Sequence, residues 1–343
     1  MAKWKRVITS NFKDLECRRH LSREQKEEVQ HYYMDLIGQK VDLYSHEYFY
    51  SRTGFFTRDY VPTNLYHSEL VPKANDHSMA KAYCDKNVCD LLFPNENVAH
   101  YYLKNINGFY YFEGKAVSYE EAVADCRNLK EVIVKPALRS KGKGVQLMNF
   151  TEGVNEKGET VEQVFSQYKR DFLFQRRVHQ HPDMAALNPS SLNTIRVLSY
   201  RSENEVLIIY SVIRIGRMGQ IIDNQCAGGI STTITEDGKL GRVAFGGYST
   251  DNILKTDSGI VLDGYQVPSY DKAIEMVKRM HLNLPYFRLI GWDVAIEEDG
   301  RPVLIEINTN PGLSQSAFKS GMGKYTERVI RELWPLPNTK FKR

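Results

Sequence analysis

Residues 289–317 read LIGWDVAIEEDGRPVLIEINTNPGLSQSA, the pattern of a β-hairpin that carries chemistry. Ile290, Trp292, Val294 and Ile296 lead into the turn Glu298-Asp299-Gly300-Arg301, and Pro302–Ile307 leads out. Residues two apart on a strand point to one face, so Glu306 and Asn308 converge. A tight turn brings Asp293 beside Glu306 on the neighbouring strand. Two carboxylates and an amide oxygen on one face make a hard oxygen site, suited to Mg²⁺ bound jointly with phosphates rather than to Zn²⁺. The competing reading is a pair of solvated acids on a wet sheet face. Against it, the carboxylates interrupt apolar runs (VLIEIN, 303–308), and NTNPG (308–312) closes the strand with a backbone suited to close ligand approach.

Upstream, Ser191–Tyr200 (SLNTIRVLSY) and Val206–Ile215 (VLIIYSVIRI) alternate as long antiparallel strands. Arg196 and Arg214 break their apolar runs. An arginine within a strand is seldom buried without a charged partner, so each is a candidate for holding phosphate or carboxylate; the alternative is that it faces water. Asp223–Ile230 (DNQCAGGI) is a polar, glycine-rich loop, and Thr232–Arg242 reads as a surface hairpin. Ser269–His281 is an amphipathic helix expected to pack behind the 289–307 hairpin.

A second composite feature lies earlier. Glu131–Pro136 (EVIVKP) is a strand, Ala137–Gly144 (ALRSKGKG) a loop, and Val145–Phe150 the returning strand. Gly142 and Gly144 let a backbone fold over phosphate oxygens without Cβ clashes, and Lys135 sets an ammonium at the strand end. Alone, SKGKG is an ordinary solvated turn. The spacing of a P-loop, G-x4-G-K-[ST], is missing, so a P-loop NTPase is disfavoured.

Together, D-x12-E-x-N-x-x-P-G (Asp293, Glu306, Asn308, Pro311, Gly312) and VIVKPALRSKGKGV resemble the ATP-grasp superfamily, which includes D-alanine–D-alanine ligase. With Asp85-Lys86-Asn87, NTIR and DNxxxGG, the resemblance narrows to its sugar-transfer-associated branch and spans roughly residues 20–325. It implies an α+β fold in which two subdomains grip ATP between antiparallel sheets. It also implies ATP and Mg²⁺ as cofactors, with Asp293, Glu306 and Asn308 on the metal. Lys86 and Lys135 would lie on phosphates beneath the Gly142–Gly144 lid, with adenine against the strand Phe172–Val178. Backbone groups near Gln175–Val178 would read the adenine edge; Gln175-Arg176 departs from the Glu that many members carry there. Asp183 is a candidate ribose partner. The solvated alternative for Lys86 is an exposed helix face.

Chain size and composition agree with this frame. The 343 residues allow two or three packed subdomains, and 42% hydrophobic with 26% charged residues is ordinary for a globular protein. Residues 1–78 read as a helical, aromatic-rich segment, 79–180 as the N-terminal and lid subdomains, and 181–343 as the C-terminal subdomain. Leu21-Ser22-Arg23-Glu24-Gln25 caps a helix running to Gly38, and Ser118-Tyr119-Glu120-Glu121 is a second capping box. Ser78–Phe93 reads as one helix and Tyr101–Phe112 as one strand. The net charge of +4 is dispersed, which argues against a nucleic-acid surface. Five scattered cysteines favour a reducing compartment. With neither a signal-peptide core nor a long apolar run, a cytoplasmic protein without a membrane span is expected. Oligomeric state stays open, dimers being the general prior.

The expected activity is an ATP-dependent carboxylate–amine ligase working through an acyl phosphate. Arg196 and Arg214 would steady the acyl phosphate and the tetrahedral oxyanion, and the resemblance links the reaction to polysaccharide or cell-surface glycan synthesis. The substrates would be a small carboxylate and an amine, one of them a sugar derivative. His46 reads as structural. The rivals are a kinase of the same fold acting on a sugar or polyol hydroxyl, and a nucleotide-binding scaffold without turnover.

Overall fold

Two six-stranded antiparallel sheets form the framework, and the charged residues singled out above lie on or beside them. The structure is a computed structural model that describes residues 2–13, 15, 17–138, 142, 144–217, 219, 228–246 and 252–336. The loop Asp223–Ala227, the lid residues Arg139, Ser140, Lys141 and Lys143, and the tail 337–343 lie outside the described residues.

The first sheet contains β1 (Tyr101–Ile106), β2 (Phe109–Phe112), β3 (Lys115–Val117), β4 (Val132–Pro136), β5 (Gln146–Met148) and β6 (Phe172–Arg176), in the order β3-β2-β1-β6-β4-β5. One face packs on the helices Tyr119–Cys126 and Val161–Tyr168 through Val132, Val134, Phe150, Phe165, Phe172 and Phe174. Both helices start with the capping geometry their sequences call for: Ser118 with Glu121, and Thr160 with Gln163.

The second sheet contains β7 (Thr194–Arg201), β8 (Val206–Ile215), β9 (Ile230–Ile234), β10 (Phe245–Gly246), β11 (Leu289–Ile296) and β12 (Pro302–Asn308), in the order β10-β9-β8-β7-β11-β12. Every residue of β11 is buried, because a layer covers each of its faces. On one side the helix Tyr270–Leu282 packs Ala273, Met276, Val277 and Met280 against Trp292, Val294 and Ile213. Part of the other side is covered by the N-terminal segment: Val29, Tyr33 and Leu36 of the helix Arg23–Ile37 join Leu198, Tyr200, Ile209 and Leu289 in a second core. That helix starts at Ser22 with Gln25 closing the capping box, and stops at left-handed Gly38 (φ 71°).

Local chemistry overrides three of the sequence expectations. Tyr101–Phe112 is a hairpin and not one strand. Asn107 and Gly108 both take positive φ (53° and 94°), the requirement of a tight two-residue turn. Ser78–Phe93 is not one helix: His77–Tyr83 ends at Cys84, and Asp85 turns extended and accepts from the Asn87 N–H at 2.9 Å. A 3₁₀ turn, Lys86–Val88, then precedes the short helix Cys89–Leu92. Thr232–Arg242 is only partly a surface hairpin, since its first half is β9, paired to β8 with Thr232 fully buried. Among the described residues, no helix is long and apolar enough to cross a membrane.

Candidate functional site

The pairing registers build a row of charges across one sheet face. On β7, β11 and β12, Arg196 lies opposite Asp293 and Asp293 opposite Glu306. Cross-strand partners share a face, so the three side chains stand side by side. Arg214, two residues beyond the Arg196 partner Val212 on β8, joins them diagonally. Arg196 holds Asp293 with two bonds (Nε to Oδ1 2.6 Å, Nη2 to Oδ2 2.7 Å), and Arg214 Nη1 lies 3.3 Å from Oδ1. Burial would raise the Asp293 carboxyl, but the two guanidinium groups outweigh it and hold it down to about 2. Burial likewise works against the Arg196 charge, and Asp293 reverses that, so its pKa stays above the ordinary arginine value.

A register shift after Asp293 sharpens the arrangement. Val294 pairs with Leu304 while Asp293 pairs with Glu306, leaving Ile305 as the extra residue of a β-bulge. Ile305 and Glu306, which a regular strand would aim to opposite faces, therefore both line one cavity of about 400 Å³ between the two sheets. Lys86 reaches it from the broken helix, with Nζ 3.3 Å from Glu306 Oε2 and its N–H donating to the Ala137 carbonyl. Lys135 enters from β4 and donates to the Gln175 side chain. Burial, then the Lys86 charge, pushes its ammonium down to about 8, against an opposing pull from Glu306. Ile133, Leu147, Val178, Leu192 and Ile305 form an apolar slot in the same cavity.

The cavity thus gathers Lys86, Lys135, Gly142, Gln175, Val178, Arg214, Asp293 and Glu306. Gly144 sits at the lid's return with φ 78°, and a Cβ there would lie 3.2 Å from the Pro136 ring. Arg196 touches the site through Asp293 and does not line this cavity; it lines a second one, into which Arg214 also reaches. Asn308 is two residues from Glu306 on the same strand, its amide oxygen accepting from the Asn310 N–H at 3.0 Å, and it is not part of the wall. Asp183 is exposed beside His181 and also stands outside the lining. His46 is fully buried and bonded to the Arg58 carbonyl.

Several lining residues were not singled out from sequence. Ile133 could have been, since it shares a face with Lys135 at strand spacing. Ile305 could not, because its aim depends on the bulge. His179, Gln180, Ser190 and Ser191 come from loops whose course is set by tertiary bonds, such as Gln180 Nε2 to the Ser191 carbonyl at 2.7 Å.

A divalent cation here would compete with Arg196 and Arg214 for Asp293 and with Lys86 for Glu306, so it fits only together with the phosphate oxygens of a bound ligand. Two carboxylates face each other across a strand pair, toward a cavity with a surplus of cationic groups. Among the described residues, no cluster of three or more His, Cys, Asp or Glu side chains forms a metal site. A cation here would therefore rest on Asp293, Glu306, an amide such as that of Asn308, and oxygens of a bound ligand.

A comparison with curated proteins finds no match. Among solved structures, an L-amino acid ligase from Bacillus licheniformis is 11% identical (TM-score 0.41), over 73% of this chain and 48% of that one. N5-carboxyaminoimidazole synthase from Aspergillus clavatus, in complex with ADP and 5-aminoimidazole ribonucleotide, is 12% identical (TM-score 0.43), over 78% and 55%. Biotin carboxylase from Campylobacter jejuni is 13% identical (TM-score 0.44), over 74% and 46%. The chain spans about half the length of these structures, and likenesses so distant say nothing of its substrates. The model of the sugar-transfer associated ATP-grasp family matches residues 65–330, a span holding both sheets and every charged residue of the row. The chain belongs to the sugar-transfer associated ATP-grasp family.

Proposed function

We propose that the chain is an ATP-dependent carboxylate–amine ligase, forming an amide through an acyl phosphate. The observation that carries the reading is the pair Asp293–Glu306, held from behind by Arg196, which shares one cavity with Lys86 and Lys135. The apolar slot of Ile133, Leu147, Val178, Leu192 and Ile305 takes the adenine. Lys86 and Lys135 neutralise phosphate oxygens, and the backbone at Gly142 and Gly144 closes over them to exclude water. Asp293 and Glu306 would hold Mg²⁺, with Asn308 as the third oxygen donor. When bound there, the cation draws charge from the β- and γ-phosphates.

Arg214, the residue common to both cavities, orients a substrate carboxylate toward the γ-phosphate. One carboxylate oxygen bonds to the γ-phosphorus, the bond to the β-phosphate oxygen breaks, and ADP leaves. An amine then bonds to the acyl carbon, inorganic phosphate departs with the electron pair of the C–O bond, and the amine's proton passes to solvent. Arg196 and Arg214 stabilise the tetrahedral oxyanion between those events. No nucleophilic side chain is required. The buried cysteines suit no such role, since burial pushes the Cys89 thiol up to about 12.

Phosphate release measured against paired acids and amines tests the reading, with Asp293→Asn as the inactive control. Release that needs both an acid and an amine supports the ligase. Release with a single alcohol and no amine would assign the site to a kinase instead, and nucleotide binding without release from any pair would favour a scaffold. The family match supports a role in sugar transfer, in which one of the two substrates is a sugar derivative.

A further inference from the structure

The second cavity, about 360 Å³, is walled in part by residues that precede the family-matched span. Trp4, Val7, Ile8 and Asn11 of the helix Ala2–Lys13 form one wall, and Tyr48, Phe49 and Arg52 of the helix Tyr44–Thr53 form another. The matched region closes the far side with Ser314, Gln315 and Ser316 after the NTNPG turn. At the inner end stand Arg196 and Arg214, and Arg214 lines both cavities. The Arg196–Asp293–Arg214 cluster is therefore the partition between them. Among the described residues, neither guanidinium has a carboxylate partner other than Asp293.

The terminal helix is held in place by specific contacts. The Trp4 ring stacks on His67, with centroids 3.9 Å apart and planes 16° from parallel, and His67 Nδ1 lies 3.2 Å from the Asn310 side-chain oxygen. Asn310 lies in the same NTNPG turn. Ile8 and Phe12 bury themselves against Tyr48, Phe49 and Tyr60. The wall that carries Trp4 is thus tied to the turn that follows the candidate metal strand.

The lining joins three chemistries: guanidinium at the inner end, aromatic side chains on the walls, and small polar groups (Asn11, Ser314) between them. Guanidinium pairs with a carboxylate in a forked geometry. Aromatic walls suit the flat C–H face of a ring. A plain aromatic acid would offer Asn11 and Ser314 no hydrogen bond, and a site built to bond hydroxyls rejects analogues that lack them. We propose that this cavity is the acid-substrate site, that it takes a cyclic hydroxy acid of monosaccharide size, and that the N-terminal helix sets this selectivity. The inference rests on the ligase reading, in which the acid's carboxylate meets the γ-phosphate beside Arg214, which lines both cavities.

The probe is D-glucuronate, compared with D-glucose (no carboxylate) and phenylacetate (no hydroxyls), titrated against the full chain with tryptophan fluorescence and calorimetry. ATP titrations run in parallel. Glucuronate binds at least tenfold more tightly than either comparator. Trp4→Ala and, separately, Asn11→Ala each weaken glucuronate about tenfold or raise its KM by that factor, while ATP affinity stays within twofold of wild type. Retained ATP affinity shows that each variant is folded. Equal binding of phenylacetate, or glucuronate binding untouched by both substitutions, overturns the proposal and leaves the ATP site standing. Absent ATP binding in the wild-type chain overturns the ligase reading and this proposal with it.

Discussion

The two sheets treat buried charge in opposite ways. On the second sheet, Asp293 is 4% exposed and is answered by two arginines of the same sheet, so its charge is settled when the chain folds. On the first, Lys135 is 6% exposed and meets a neutral amide, and among the described residues no carboxylate lies within ion-pair distance of it. Its ammonium is correspondingly easier to deprotonate, at about 8. A buried cation left uncompensated by the fold is a candidate for pairing with a ligand anion. On the proposed reading the second sheet is the prebuilt half of the site, and the first is the half that waits.

The contrast predicts unequal responses to removing each charge. The largest effect belongs to Asp293→Ala, which strands two guanidinium groups in the interior. Unfolding stability falls by roughly 3–5 kcal/mol, read from the urea midpoint, and turnover is lost. Lys135→Met has the opposite profile. ATP affinity falls by about 30-fold, on the order of 2 kcal/mol, while the urea midpoint does not drop, because the native state carries that ammonium at a cost. A Lys135→Met protein that unfolds as readily as Asp293→Ala would erase the distinction between the sheets.

The pH dependence sharpens the same point. The folded Lys135 pKa of about 8 lies below the unfolded value near ~10.4. The native state therefore binds fewer protons than the unfolded chain between those values, and the Lys135 contribution to stability improves as pH rises through that window. ATP affinity moves the other way. It holds below about pH 8 and weakens as the free ammonium is lost above it, a dependence absent from Lys135→Met in titrations from about pH 7 to 9.5. A smaller effect is expected at the lid. Gly144→Ala forces an unfavourable positive φ and a 3.2 Å approach to Pro136, costing about 1 kcal/mol, with a modest rise in the KM for ATP.

What the sequence disclosed and what it hid divide along local and tertiary lines. The 289–307 hairpin, the strand Val206–Ile215 and the capping boxes at Ser22 and Ser118 form as read, because their signals lie within a few residues. The Asn107-Gly108 turn is equally local, but the apolar residues on both sides of it read as one continuous strand. The break at Asp85 depends on one side-chain cap winning over helical periodicity, and that break is what carries Lys86 to the cavity. Arg196, a candidate for holding phosphate or carboxylate, spends two of its bonds on the Asp293 carboxylate, a pairing 97 residues apart that only the β7–β11 register dictates. The Ile305 bulge and the second cavity belong to the same class, since neither has a signature shorter than the fold itself.

The central claim is that charges from both sheets meet on one nucleotide and its divalent ion. The most direct measurement is the equilibrium affinity for ATP with and without Mg²⁺, in the wild-type chain and in Glu306→Gln. The account predicts ATP binding that Mg²⁺ strengthens at least tenfold in the wild type, with most of that gain absent in Glu306→Gln. ATP binding indifferent to Mg²⁺ in both proteins, or no ATP binding at all, would contradict it.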